Sequence, residues 1–99
     1  MPRFVISEKA VEDIKGIWVY TAENWSIEQA DRYYNLIFDE IEYIAENFER
    51  ARDFGQIRKG YRVSRVKSHL VFFRKTKGEE IEVVRVLHER MDVENRLGD

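Results

Sequence analysis

The chain has 99 residues, a formal net charge of −2 and no cysteine, and 43% of its residues are apolar. That length is one domain with one modest core, which buries roughly 60–70% of its unfolded surface. A disulfide framework and thiolate metal sites are excluded, a disordered composition is excluded, and the absence of cysteine suits a reducing cytosol. No apolar run approaches the roughly 20 residues that span a bilayer, and MPRFVISEKA lacks the apolar stretch of a secretory signal. The small net charge hides a division. Residues 1–49 carry 4 Lys/Arg against 11 Asp/Glu, and residues 50–99 carry 13 against 8. Asymmetry of this kind fits a nucleic-acid surface, an acidic protein partner or a plain solvated face.

In chain order, Arg3–Ile6 is short and β-prone and predicts a first strand. Ser7 is a helix N-cap with Glu8 at the positive end of the dipole. Ala10, Val11, Ile14, Ile17, Trp18 and Thr21 follow at helical spacing. Gly16 interrupts this helix at a cost of about 1 kcal/mol relative to Ala, as a close helix contact would require. Glu23-Asn24-Trp25 breaks the helix. Ser26 and Gln29 form a capping-box pattern, with Trp25 and Ala30 at staple positions. A second helix carries Ala30, Tyr33, Tyr34, Ile37, Phe38, Ile41, Ile44, Ala45 and Phe48 on one face and Asp31, Asp39, Glu42, Glu46 and Glu49 on the other. The two helices form an antiparallel hairpin whose apolar stripes need a cover. The acidic face reads as a solvated one.

Arg50–Lys59 is a polar connection ending at Gly60. Three strands are predicted at Tyr61–Lys67, His69–Lys75 and Glu80–His88, the last two joined through Lys77-Gly78-Glu79. A turn centred on Gly78-Glu79 pairs Lys75 with Glu82, Phe73 with Val84, Val71 with Val86 and His69 with His88. Alternation then puts Leu70, Phe72, Arg74, Val83, Arg85 and Leu87 on the other face. The only two histidines of the chain thus become neighbours at one end of a hairpin.

The residues offer little for metal or nucleotide chemistry. There is no phosphate-cradling glycine loop, no thiol nucleophile, and no HxxxH or HExxH spacing. Metal-free RNA cleavage would need a base, an acid and cations around phosphate. His69 or His88 could serve as acid or base, and Arg62, Lys67, Arg74 or Arg90 as the cations. Arg85 stands out in the apolar run VVRVL, where a charge is not buried alone. Either it reaches an acid, from the helices for example, or its face of the sheet is open. The tyrosines, Tyr33 among them, read as core edges with wet hydroxyls.

Three segments together resemble one known family. IWVYTAENW followed by ADRYY resembles the helical hairpin of ParE toxins. GYRVSRVKSHLVFFR resembles that family's first two C-terminal strands, and EVVRVLHERMD its last strand and C-terminal motif. The resemblance covers most of the chain in the right order. It implies an α+β domain over residues 1–99, β-α-α-β-β-β, with the helical hairpin packed on a small, mainly antiparallel sheet of the RelE/ParE type. It implies a toxin of a type II toxin–antitoxin pair that poisons DNA gyrase and blocks replication in the bacterial cytoplasm. A ParD-like antitoxin would neutralise it in a hetero-oligomeric complex, with DNA contacted only through gyrase. No cofactor and no metal are implied, and the protein would be a gyrase inhibitor, not an enzyme.

The RelE branch of the same superfamily cleaves mRNA on the ribosome without a metal, and fold alone does not separate the two. That branch uses a dense basic cluster and a tyrosine, histidine or glutamate near the C-terminus. Here MDVENRLGD follows Arg90, without tyrosine or histidine, and His69 stands where a RelE-type enzyme would carry a phosphate-binding arginine. If the chain were such a nuclease, His69, His88 and Arg90 would be its catalytic candidates. Under the ParE reading, Lys59, Arg62, Arg65, Lys67, Arg74 and Arg85 form a basic strip for an acidic antitoxin helix or for gyrase. His88, Glu89 and Arg90 then shape the surface where the sheet ends. A non-toxic protein-interaction module is the further alternative.

Overall fold

A computed structural model describes residues 4–97. Strand β1 (Phe4–Ile6) leads into helices α1 (Glu8–Asn24) and α2 (Ile27–Glu46). After a single 3-10 turn at Phe48–Arg50 come strands β2 (Arg52–Asp53), β3 (Arg62–Val66), β4 (His69–Lys75) and β5 (Ile81–His88), then helix α3 (Val93–Leu97). The strands form one mixed sheet in the order β1-β5-β4-β3-β2, antiparallel except for the β1–β5 pair. Arg3 of the predicted first strand lies outside the described residues. The two-residue β2 and the five-residue α3 escaped the sequence reading, because neither is long enough to show a period.

Both serine N-caps form, but the reciprocal half of the predicted capping box does not, because the Gln29 Oε1 accepts from the Arg32 guanidinium at 2.7 Å instead. The Ser7 Oγ accepts the Ala10 N–H at 3.0 Å, and the Ser26 Oγ accepts the Gln29 N–H at 3.0 Å. The staple does not form: Ala30 is buried, but Trp25 is 73% exposed. Gly16 makes no close helix contact either, since a Cβ built there meets nothing within 4 Å.

The sheet is covered on both sides. On one, Ala10 and Ile14 of α1 and Ile37, Ile41 and Ile44 of α2 pack on Val66, Val71, Phe73, Ile81, Val83 and Val86. On the other, Val63, Phe72 and Leu87 are covered by Leu97, with Phe54, Tyr61, Leu70 and Val93 around them. Phe72 and Phe73, adjacent in sequence, thus anchor opposite cores, as the two-residue period of a strand requires.

The predicted hairpin register holds over only half its length. His69 pairs with His88, Leu70 with Leu87, Val71 with Val86 and Phe72 with Arg85. Then the pairing slips, and Phe73 meets Val83, Arg74 meets Glu82 and Lys75 meets Ile81. The predicted pairs Lys75–Glu82 and Phe73–Val84 are therefore absent, and Val83 points into the helix-side core, not to the opposite face. The cause is a β-bulge with Val84 as the extra residue. Its carbonyl accepts a hydrogen bond from the Ser7 Oγ at 2.8 Å, while the Ser7 N–H donates to the Val83 carbonyl at 3.0 Å. One serine thereby caps α1 and satisfies the bulge. The displaced charge pairing is recovered one residue along, where the Arg74 guanidinium lies 2.7 Å from the Glu82 carboxylate.

Beyond the bulge β5 leaves β1, and α1 takes over its edge. Asp13 accepts the Val86 N–H at 3.0 Å and holds Arg85 in a two-pronged ion pair at 2.8 and 2.9 Å. The two side chains are only 12% and 15% exposed. This answers the question posed by VVRVL: Arg85 reaches an acid from the helices. A buried charge is tolerated here because each carboxylate oxygen has a donor.

Candidate partner-binding site

The helical hairpin and the end of the sheet enclose a groove of about 910 Å³. Tyr20, Trp25, Leu36 and Met91 line it and are all exposed, Trp25 and Tyr20 at 73% and 63%. Gly16 lies in its wall with open space before it. Large apolar side chains gathered in one concave place, not scattered singly, mark a surface meant to be covered.

The floor carries the polar groups. His69 and His88 are direct cross-strand partners, with ring centroids 5.2 Å apart and planes at 84°. The Tyr33 hydroxyl reaches down from α2 to the Val66 carbonyl at 2.9 Å and lies 2.6 Å from His69 Nδ1. The hydroxyl donates to the Val66 carbonyl, and Ser68 adds hydrogen bonds to it from its side chain and backbone, so the His69 ring, Ser68 and Val66 meet at one phenol oxygen. In the second ring, His88 Nδ1 accepts the Arg90 N–H at 3.1 Å. Burial, and then the neighbouring His88, push the His69 pKa below its ordinary value, against the opposing pull of Glu89. Burial raises the Tyr33 pKa.

The sequence-derived site residues scatter around this groove. Lys67, His69 and His88 line it. Lys67 occupies the β3–β4 turn with φ +54°, a left-handed conformation uncommon for a side-chain-bearing residue. Arg62 lies over the Phe48 ring, 5.1 Å from its centroid, and bonds the Ala51 carbonyl at 2.7 Å. Arg65 pairs with Glu89 at 3.1 Å. Arg74 and Arg85 pair with Glu82 and Asp13. Lys59 is exposed on the loop before β3, and Arg90 is exposed past the end of β5. The basic strip is not continuous, because strand alternation sends Arg62 to the helix side of the sheet and Arg65 and Arg74 to the other. Tyr33 was missed as a site residue. Its place on the apolar stripe of α2 was legible, but its meeting with His69 depended on where α2 crosses the sheet.

Two helices on one face of a five-stranded mixed sheet, with a groove at their open end, make this a RelE/ParE-like α+β fold. A solved structure described as a chromosomal ParDE toxin–antitoxin system from P. aeruginosa shares it, with a TM-score of 0.76 at 19% identity over 89% of this chain and 96% of that one. The family model for the ParE toxin of the type II toxin–antitoxin system parDE matches residues 4–93. Toxin ParE1 of Mycobacterium tuberculosis is 38% identical over 95 residues, 96% of this chain and 97% of that protein. Toxin ParE1 of Caulobacter vibrioides is 36% identical over 98 residues, 99% and 100% of the two chains. Toxin ParE of Escherichia coli is 32% identical over 99 residues, 100% and 96%. The chain belongs to the ParE toxin family of type II toxin–antitoxin systems.

Proposed function

We propose that this toxin poisons DNA gyrase, stabilising the cleaved-DNA complex and blocking replication, and that a ParD-like antitoxin neutralises it by occupying the groove between the helical hairpin and the sheet. Membership of the ParE family over residues 4–93 carries the gyrase reading. The groove supports the antitoxin: it joins exposed Tyr20, Trp25, Leu36 and Met91 to a half-buried polar floor, the composition of a protein-binding surface with aromatic anchors. An amphipathic helix laid into it would bury those side chains. The basic residues outside the groove, Lys59, Arg62, Arg65, Arg74 and Arg90, would steer the encounter more than hold the complex. The site of action is the bacterial cytoplasm. No helix among the described residues is long and apolar enough to cross a membrane.

The arginines also weigh against the nuclease alternative. Of the four cations considered for phosphate, Arg62 and Arg74 are engaged by Glu49 and Glu82 and would reach a phosphate only by breaking those ion pairs. Two parallel assays test the reading. Purified toxin should inhibit supercoiling and accumulate gyrase-linked broken DNA, while mRNA on programmed ribosomes stays intact, and added antitoxin should restore supercoiling. Cut mRNA with unaffected gyrase would reverse it and make His69, His88 and Arg90 the first residues to replace.

A further inference from the structure

We infer that Lys67 selects the occupant of the groove by taking a carboxylate, from an Asp or Glu side chain of the antitoxin, and that this contact holds the complex instead of only steering it. The inference rests on the reading of the groove as the antitoxin's site. Lys67 and Ser68 form the two-residue turn between the paired Val66 and His69. Of the two, Lys67 alone has a positive φ, at +54°. Glycine ordinarily fills the first central position of such a turn, because a Cβ there is strained. The backbone around it is held at three points. The Tyr33 hydroxyl of α2 donates to the Val66 carbonyl at 2.9 Å and meets Ser68. The Glu89 N–H donates to the Ser68 carbonyl at 2.9 Å, and the Arg65 guanidinium donates to the Lys67 carbonyl at 3.3 Å. The Lys67 side chain is exposed and lines the groove, and its ammonium has no hydrogen bond or ion pair among the described residues. A fixed backbone thus presents an unengaged cation.

The charges around the turn determine what suits that ammonium. Glu89, past the end of β5, is taken by Arg65 at 3.1 Å, and Asp13 on α1 is taken by Arg85 at 2.8 Å. Arg32 in the groove rests on a neutral partner, the Gln29 Oε1, at 2.7 Å. The charged lining that remains is Glu12 against Arg32 and Lys67, so cations are in excess. A carboxylate on the occupant restores the balance, and a neutral or basic segment does not. The apolar walls give the pair its strength. Tyr20, Trp25, Leu36 and Met91 are exposed in the free toxin and are covered when an amphipathic segment lies on them, which excludes water from the groove. An ion pair desolvated in this way acts on dissociation, whereas a rim charge acts on association.

Binding kinetics of the toxin with its antitoxin test the proposal. Lys67→Met, which keeps the stem and removes the charge, should speed dissociation on the order of tenfold, with a smaller change in association. Lys67→Arg should keep most of the affinity. Slower association with unchanged dissociation would make Lys67 a steering residue and overturn the proposal. Lys67→Gly should weaken the complex as much as Lys67→Met while raising the Tm of the free toxin by roughly 4 °C, because the turn is relieved of strain. Glu79 is the control, with φ +63° in the β4–β5 turn and no place in the groove lining. Glu79→Gly should raise the Tm alike and leave affinity unchanged. Weakening by both glycine variants would assign the effect to loosened turns, against the proposal. Replacing the antitoxin's Asp and Glu residues singly with Asn and Gln should find one position that matters to the native toxin and not to Lys67→Met. The absence of any such position overturns the carboxylate. Gly16→Trp, which fills the groove wall, guards the underlying reading. If it leaves affinity unchanged, the antitoxin binds elsewhere, and both readings fail. If it abolishes binding while the Lys67 variants do nothing, only the Lys67 proposal fails.

Discussion

The two faces of the sheet are built to different standards. The helix side is closed by two long helices, of 17 and 20 residues, whose isoleucines interlock with Val71, Phe73, Val83 and Val86. The opposite side is closed by a loop and by the five-residue α3, with Leu97 as its buried anchor. Its cover is tied by the Arg58 guanidinium to the Leu97 carbonyl at 2.8 Å and by Arg85 to the Arg96 carbonyl at 3.3 Å. A thick cover over one face lets the fold stand, and a thin one closes the other at little expense in chain length. Phe72 and Phe73 measure this difference, because they are adjacent, chemically identical and equally buried. Phe73→Ala should destabilise by about 4 kcal/mol, since two packed helices cannot collapse into the space. Phe72→Ala should lose less, about 3 kcal/mol, because α3 and the Phe54 loop can settle inward. Denaturant unfolding of the two variants checks this, and equal losses would mean the back cover is as rigid as the helical one.

The next largest effect lies where the two halves of β5 meet. Below the bulge the strand edge is paired with β1, and above it Asp13 of α1 stands in for a strand. Asp13→Ala would strand the Arg85 guanidinium and the Val86 N–H together. Breaking a buried ion pair costs about 3–5 kcal/mol, and the slight exposure of this one places the loss near about 3. Double replacement, Asp13→Ala with Arg85→Met, should recover part of it. A double variant as unstable as the single one would show that the Val86 N–H, not the stranded charge, dominates.

The same boundary separates what the sequence made legible from what it did not. The caps at Ser7 and Ser26, the stripe of α2 and the meeting of His69 with His88 rest on local spacing, and spacing is visible in a string of letters. The bulge at Val84 rests on a hydroxyl 77 residues away in the chain, and nothing in VVRVLH marks it. Arg85 signalled that an acid must exist, but not which one. Within the groove, the two histidines were foreseeable and Tyr33 was not, because its role depends on how helix and sheet pack. The basic residues were read as one strip because they cluster in sequence, and the strand period then divides them between faces.

Acidity distinguishes the groove from both cores. His69 has its pKa lowered chiefly by burial, so the folded state disfavours the charged ring. Its contribution to stability is present above the unfolded-state value near 6.5 and is lost as the pH falls below it. Stability of the free toxin should therefore decline between about pH 7 and pH 5 more steeply than that of His69→Gln. Parallel curves would assign the decline to the carboxylate ion pairs instead.

The smallest effect is the one that links groove and fold most directly. Gly16 sits mid-helix in α1, in the groove wall, with nothing within 4 Å of where a Cβ would stand. Nothing in the free toxin's packing requires a glycine there. Gly16→Ala should accordingly stabilise the free toxin by about 0.8–1 kcal/mol, the difference in helix propensity, and raise Tm by roughly 4–8 °C. With the antitoxin in the groove as proposed, its affinity then reports how closely the occupant approaches this wall. A complex weakened while the free toxin is stabilised means that a partner backbone runs against Gly16, where only a hydrogen fits. An unchanged affinity means the partner keeps to the aromatic side of the groove, against Trp25 and Tyr20. Loss of stability in the free toxin would contradict the open space seen before Gly16 and move the explanation back to packing.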